Sequence, residues 1–226
     1  MISVIIPTYN EASTIAQTLA HTLAVAQSAI EIIVVDGGSQ DETVAIAAAY
    51  PCQVMTATTG RATQMNRGAS IAQGDSLLFL HADTELPNHF DVWVQETLAK
   101  PDVMAGAFEL AIAGTDHGLR WVEWGVKWRS HLCQLPYGDQ ALFIKTNTFH
   151  QVGGFPDLPI MEDFVWVQQL KRLGKIAIAP VPVQTSARRW QKLGIWKTTG
   201  MNQLIILGYF LGISTERLRI LYRKFC

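Results

Sequence analysis

The sequence lacks several features that mark specialised protein classes. Its three cysteines, Cys52, Cys133 and Cys226, are scattered and do not have the spacing of a metal site. An odd number of unclustered cysteines indicates free thiols in a reducing compartment rather than a disulfide framework. The formal net charge of −1 provides no electrostatic basis for binding nucleic acid, so we expect no nucleic-acid partner.

Long apolar runs and a targeting segment are also absent. The longest apolar run, residues 204–213, is roughly half the ~20 residues that a membrane-spanning helix requires. A strand-like pattern begins at residue 2, so we expect no signal peptide. These features predict a cytoplasmic protein.

Three familiar motifs are missing. No G-x-G-x-x-G follows the first apolar run, and no G-x-x-x-x-G-K-[ST] is present, which excludes a dinucleotide fingerprint and a P-loop. The G-x-S-x-G elbow of α/β-hydrolases is absent as well.

The first 85 residues instead alternate between apolar strands and helical segments. Strands are predicted at residues 2–6, 31–35, 53–56 and 76–80. Asn10 is a predicted helix N-cap, and Ser39 with Glu42 has the spacing of a capping box. This order with short connections predicts a doubly wound, mostly parallel sheet with helices on both faces.

The second part of the chain does not continue this regular alternation of strands and helices. Its predicted helices cover residues 87–99, 118–132, 161–173 and the C-terminal segment, and its predicted strands cover 103–112, 141–145 and 176–179. Residues 180–190 are predicted to form a loop. No linker or repeat interrupts the chain, which predicts one α/β domain over residues 1–226.

Polar residues follow the fourth strand directly. His81 and Asp83 are two positions apart, so their side chains point to one side if the backbone is extended. Ligands bind at the carboxyl ends of strands in open α/β sheets, and a carboxylate beside an imidazole suits a divalent cation. A strand that ends in a solvated turn is the alternative.

Other charged residues occupy comparable positions. Asp36 precedes two glycines, where it can bind a ribose or base edge or simply form a turn. Glu162 and Asp163 open a helix, where the dipole favours acids, although this explains one acid better than two. Arg61 at a helix start is unfavourable for the dipole and indicates an anionic ligand such as a diphosphate.

Several segments together resemble family 2 inverting glycosyltransferases. They occur in the family's order between about residues 2 and 175: VIIPTYNE at 4–11, IIVVDGGSQD at 32–41, MNRG at 65–68, LHAD at 80–83, VGGF at 152–155 and MED at 161–163. The RATQMN, HAD and YGDQ segments resemble a short stand-alone subgroup labelled arsenosugar-biosynthesis glycosyltransferases.

The resemblance implies a GT-A fold that binds a nucleoside-diphosphate sugar, with a UDP-sugar favoured. Residues 1–115 would form the nucleotide-sugar half and residues 116–226 the acceptor half. Asp163 matches the family's catalytic base, with Glu162 beside it, and Asp83 matches the acid that holds Mg²⁺ or Mn²⁺. The implied substrate-binding residues in the first half are Pro7, Tyr9, Glu11, Asp36, Arg61 and Asn66.

One position departs from the family pattern. His81 stands where the family has the first acid of its D-x-D element, and imidazole is a poor ligand for Mg²⁺ but a fair one for Mn²⁺. Either His81 binds the softer metal, or it lies behind Asp83, which then holds the cation alone.

The second half contributes further candidates with two interpretations each. Arg188, Arg189 and Trp190 lie where relatives place a mobile loop near the donor diphosphate, or they form a solvated basic loop. Asp139 faces the acceptor or belongs to a turn. We predict substrate binding for all four residues.

Two apolar helices also remain open to interpretation. Trp121, Trp124 and Trp128 share one helix face, which predicts core or interface packing ahead of an acceptor-binding wall. The apolar run at 204–213, followed by arginines, could lie peripherally on an anionic membrane, cover the sheet or form a homodimer contact.

The expected function is metal-assisted, inverting transfer of a sugar to an unidentified acceptor hydroxyl. A nucleotidyltransferase is disfavoured because the glycine-rich triphosphate loop of such enzymes is absent. A non-catalytic nucleotide-sugar-binding protein is the alternative from another class, and the presence of Asp83 and Asp163 argues against it.

Overall fold

A computed structural model describes residues 1–225 of the chain. Cys226 lies outside the described residues, and Cys52 and Cys133 are free thiols. The strands are β1 (Ile2–Thr8), β2 (Ile30–Asp36), β3 (Gln53–Thr56), β4 (Ser76–Phe79), β5 (Thr84–Glu85), β6 (Val103–Ile112), β7 (Phe143–Lys145) and β8 (Lys175–Thr185). The helices are α1 (Ile15–Val25), α2 (Thr43–Ala48), α3 (Arg61–Ala69), α4 (Phe90–Leu98), α5 (His117–Cys133), α6 (Thr146–Gln151), α7 (Glu162–Lys171), α8 (Arg188–Leu193), α9 (Ile195–Phe210) and α10 (Thr215–Phe225).

The strands of the described chain form one sheet in the order β3-β2-β1-β4-β7-β6-β8-β5. The pairs among β3, β2, β1 and β4 are parallel, as the βα alternation predicts. Strand β7 is antiparallel to both β4 and β6, and β6 and β8 are parallel. The predicted α/β class is therefore confirmed, with a parallel N-terminal part and a mixed C-terminal part. The sheet contains strands from both sides of residue 115.

The apolar core lies on both faces of this sheet. Because strand side chains alternate, β1 places Val4 and Ile6 in one core cluster and Ile5 in the other. Leu77 and Leu78 of β4 are likewise buried on opposite faces. This double burial explains why the central strands are continuous apolar runs, and it brings their polar carboxyl ends to one edge of the sheet.

Two predicted helix starts are wrong. Helix α1 begins at Ile15, because Asn10 adopts a φ of 54° and its side-chain carbonyl accepts the Gln40 N–H at 2.8 Å. Helix α2 begins at Thr43, because the Ser39 hydroxyl donates to Asp36 Oδ1 rather than capping the helix. Hydrogen bonds between the first two βα connections thus replace the local caps.

The loop predicted at residues 180–190 is also wrong. Strand β8 continues through Pro180 and Pro182, and α8 follows it directly. The register of β8 on β6 shifts between Phe108 and Glu109, so the paired residue changes from Ala179 to Pro182. An irregularity of this kind accommodates prolines, which have no N–H to donate to the ladder.

Candidate active site

Asp163 is held in one orientation at the start of α7. Its Oδ1 accepts the N–H of Phe164 at 2.7 Å, and its Oδ2 accepts the N–H of Gly138 at 2.7 Å. A Cβ on Gly138 would lie 3.2 Å from Asp163 Oδ2 and 3.1 Å from His81 Nε2, so a side chain there would crowd both groups. Glycine thus allows the loop backbone to approach the carboxylate closely.

The neighbouring acid, Glu162, points in a different direction. Its side chain is 3% exposed, and its Oε1 lies 3.0 Å from Arg61 Nε. Burial raises the pKa of Glu162 while Arg61 opposes that shift, and Glu162 in turn raises the pKa of Arg61. Glu162 is therefore directed at Arg61, whose side chain is half-exposed, and away from Asp163.

Arg61 also affects the tautomer and the protonation of His81. Its Nη1 lies 3.3 Å from His81 Nε2. Because a guanidinium can only donate, His81 Nε2 accepts this hydrogen bond and the ring proton lies on Nδ1. Burial, with the Arg61 charge, lowers the pKa of His81 to about 4, so the imidazole is neutral near pH 7.

Asp83 is paired with a cation from the C-terminal half of the chain. Arg188 Nη2 donates to Asp83 Oδ2 at 3.1 Å and to Glu11 Oε2 at 2.9 Å, while Nη1 donates to Ser13 at 3.2 Å. The hydrogen bonds that Arg188 donates to Glu11, which has the largest effect, and to Asp83 raise the pKa of Arg188. The start of α8 therefore bridges the ends of β1 and β4.

A cavity of about 230 Å³ lies between these groups. Seven of the residues predicted from the sequence border it: Arg61, His81, Asp83, Asp139, Asp163, Arg189 and Trp190. Arg189 is held by the C-terminal helices, with its Nη2 donating to Asn202 at 3.2 Å and its guanidinium 4.6 Å from the Tyr222 ring centre. These seven residues, which are distant in sequence, therefore lie around one cavity, and their roles remain predictions.

Asp139 presents an unusual group to this cavity. Its Oδ1 is buried and accepts no hydrogen bond from the described residues. Burial is the main cause that raises the pKa of Asp139, with Asp163 adding to it and Arg129 opposing it. A buried carboxyl without a partner is costly, so this atom is available to a ligand that brings its own donor.

Asp36, Asn66 and Pro7 are among the predicted residues that do not border this cavity. The buried carboxylate of Asp36 accepts the N–H groups of Gly38 and Ser39, both at 2.8 Å, which matches the turn interpretation. Asn66 uses its amide on the backbone of Phe155, at 2.8 and 2.9 Å. Pro7 is buried within β1. Their substrate-binding roles remain predictions.

A second cavity of about 570 Å³ adjoins the carboxyl end of β1. Tyr9, which is half-exposed, borders it together with Thr59, Thr63, Arg219 and Arg223. The residues predicted from the sequence do not include the arginines of α10 here, or Tyr137, Asn202 and Tyr222 at the first cavity. Apart from Tyr137, which lies in the connection after α5, these residues are on helices whose docking position has no local signal in the sequence.

Comparison with known families gives one match over most of the chain. The model of the family described as "Glycosyl transferase family 2" matches residues 3–155. Among curated proteins, a PGL/p-HBAD biosynthesis glycosyltransferase of Mycobacterium bovis is 34% identical over 116 residues, covering 48% of this chain and 43% of the relative. Matched segments cover only 30% to 43% of the length of such relatives.

Solved structures show the same fold. A mannosyltransferase from Pyrobaculum calidifontis, in complex with GDP-Man and Mn²⁺, aligns with a TM-score of 0.71 at 20% identity, over 90% of this chain and 61% of the other. A glucosyl-3-phosphoglycerate synthase from Mycobacterium tuberculosis, in complex with Mn²⁺, UDP and phosphoglyceric acid, aligns with a TM-score of 0.60 at 20% identity, over 80% and 69% of the two chains. The predicted GT-A fold is confirmed.

Proposed function

Because the chain belongs to glycosyl transferase family 2, we propose that it transfers a sugar from a nucleoside-diphosphate sugar to an acceptor hydroxyl, with inversion at the anomeric carbon. The resemblance inferred from the sequence motifs is thereby confirmed at the level of the family. The arsenosugar subgroup and the identity of the acceptor remain predictions.

The observation that carries this proposal is the composition of the first cavity. It combines a carboxylate fixed by two backbone N–H groups, Asp163, with cationic side chains from α3 and α8, Arg61 and Arg189. A fixed carboxylate can accept a proton from a hydroxyl, and guanidinium groups bind phosphate oxygens in a planar, bidentate manner. Sugar transfer from a diphosphate requires both functions.

In the proposed reaction, the acceptor oxygen attacks the anomeric carbon from the face opposite the diphosphate. The new carbon–oxygen bond forms as the bond to the phosphate oxygen breaks, and the hydroxyl proton passes to Asp163. Arg61 and Arg189 stabilise the charge on the departing diphosphate. Glu162 holds Arg61 in place through the 3.0 Å contact.

The residues at the end of β4 fit a divalent cation that is shared with the donor. No group of three or more His, Cys, Asp or Glu side chains within residues 1–225 is arranged to hold a metal ion, so the protein alone supplies an incomplete set of ligands. Mg²⁺ and Mn²⁺ in such sites take one or two carboxylates plus substrate phosphates. Asp83 would hold the cation, which neutralises diphosphate charge, and His81 would lie behind it because its Nε2 accepts from Arg61.

The donor is proposed to be a nucleotide sugar that spans both cavities. The structural neighbours were crystallised with GDP-Man or with UDP, so the fold accepts more than one base. The second cavity offers Tyr9 for stacking, and Arg219 and Arg223 for anionic groups. A UDP-sugar remains the prediction from the family resemblance.

Calorimetric titration tests this proposal directly. UDP, GDP, CDP and dTDP are each titrated with Mn²⁺, Mg²⁺ or EDTA, and we expect one nucleotide to bind tightly only with a cation. Asp83→Asn should abolish the cation-dependent part of the affinity, whereas the remote Asp102→Asn should not change it. Cation-independent binding would contradict the metal role, and absence of binding to all four nucleotides would favour a protein without transferase function.

A second prediction concerns the cation that Arg188 provides to Asp83. Replacement by glutamine removes a competing positive charge, so Mn²⁺ without nucleotide should bind roughly two- to fivefold more tightly, in line with a half-exposed ion pair. Lys192→Gln on the same helix is the matched control. Unchanged or weaker Mn²⁺ binding in the Arg188 variant would show that the arginine does not compete for Asp83.

A further inference from the structure

Helix α5 exposes a row of tryptophans to solvent. Trp121, Trp124 and Trp128 are 65%, 57% and 50% exposed, and their rings contact each other with centroid distances of 6.2 and 5.7 Å. The buried positions of the helix, Leu119 and Ser130, lie on its opposite side. The core interpretation of these rings is therefore wrong, and the interface interpretation remains a prediction.

Helix α9 has the same unusual arrangement. Its buried face contains Met201 and Ile205. At helical spacing on the other side, Trp196, Leu207 and Leu211 are 73%, 55% and 72% exposed. Exposed apolar rows of this length are uncommon on monomeric proteins and mark an interaction site.

The two helices begin next to each other. A Cβ on Gly118, in the first turn of α5, would lie 2.8 Å from Ile195 Cδ1 in the first turn of α9. We name the three tryptophans of α5 together with Trp196, Leu207 and Leu211 the α5–α9 apolar surface.

The charge of the chain is distributed unevenly along the sequence. Residues 188–226 contain eight basic residues and one acidic residue, whereas residues 1–187 contain ten basic and eighteen acidic residues. Lys192 at the end of α8 and Lys197 at the start of α9 flank Trp196 in the sequence, and both are exposed. A partner of this segment should therefore be anionic as well as apolar.

We propose that the α5–α9 apolar surface docks on a membrane that contains anionic lipids. Tryptophan favours the interface between water and hydrocarbon, and helices with an apolar face flanked by lysine and arginine lie in that plane. Across the part of the chain that the structure describes, no helix is long and apolar enough to cross a bilayer, which is consistent with docking on the surface. A second copy on the same surface would bring two basic segments together, which is electrostatically unfavourable.

Vesicle flotation tests the proposal without any assay of sugar transfer. A negative result would therefore contradict membrane docking and leave the proposed function unaffected. We expect the protein to float with vesicles of phosphatidylcholine mixed with phosphatidylglycerol, and less with phosphatidylcholine alone or in added salt. A variant with Trp121, Trp124 and Trp128 all changed to serine should bind roughly tenfold or more weakly. Changing Lys192 and Lys197 to glutamine should weaken binding by about tenfold or more.

Leu173→Ser is the matched control, because Leu173 is 59% exposed but lies outside this surface. Circular dichroism establishes that each variant is folded. Equal flotation of the tryptophan and Leu173 variants would overturn the proposal. So would absence of flotation together with a dimer, detected by sedimentation, that the tryptophan variant abolishes, because the surface would then bind a second copy.

Discussion

Asp163→Asn should lower kcat for sugar transfer by about 10²- to 10⁴-fold, which is the usual contribution of a general base. The amide has the same shape as the carboxylate but cannot accept the hydroxyl proton. Nucleotide affinity should stay nearly unchanged, because Arg61, Asp83 and Arg189 are left in place. The measurement combines single-turnover transfer with calorimetric nucleotide binding.

A structural cost must be separated from the chemical one. The asparagine NH₂ will face the N–H of Gly138 or Phe164, so one hydrogen bond is lost, at a cost of about 1–3 kcal/mol in the free energy of unfolding. Urea unfolding measures this cost, and Asp102→Asn on the remote side of the sheet provides the isosteric control. Normal transfer by the folded Asp163 variant would exclude this carboxylate as the base.

Arg61→Met should destabilise the folded protein by about 3 kcal/mol at pH 8. This value is at the low end for a broken buried pair, because the Arg61 side chain is half-exposed. The variant leaves the 3% exposed Glu162 carboxylate without its cation. Chemical denaturation of both proteins at several pH values measures the difference. Arg67→Met, an exposed change on the same helix, should have little effect.

The loss of stability caused by Arg61→Met should depend on pH. Burial already raises the pKa of Glu162 above the ordinary value of 4.5, and loss of Arg61 raises it further. An acid whose pKa is higher in the folded state is destabilising at high pH, and this cost disappears as the pH falls towards the unfolded value. The difference between Arg61→Met and wild type should therefore shrink from pH 8 to pH 5.

The double variant Arg61→Met/Glu162→Gln tests whether the unpaired charge of Glu162 causes the loss of stability. Removal of the buried charge should restore most of the stability that the single change loses, because glutamine is neutral at every pH. Equal destabilisation in the single and double variants, without pH dependence, would show that packing rather than charge explains the loss.

The N-terminal half of the fold was predictable because its signals are local. Strand β3 has the bounds that the sequence predicts, as does β6, since β-branched and apolar runs bounded by turn residues specify strands without help from distant residues. The helix starts at Ile15 and Thr43 were not predictable. They depend on hydrogen bonds between two different connections, such as Asn10 to Gln40.

The candidate site likewise combines residues that were predictable from the sequence with a contact that was not. Strand-end position identified His81 and Asp83, and helix-start position identified Arg61 and Asp163, which all border one cavity. The sequence did not reveal that Arg188 pairs with Asp83 across 105 positions of the chain, because an ion pair between distant segments leaves no periodic pattern.

The sequence by itself therefore determined the α/β architecture, the family and the residue types at the strand ends. The tertiary structure decided which of two adjacent acids faces the cavity, whether the tryptophans of α5 are buried, and which face of α9 closes the site. Side-chain direction and exposure depend on where complete elements dock, and docking is determined by the summed packing of residues far apart in sequence.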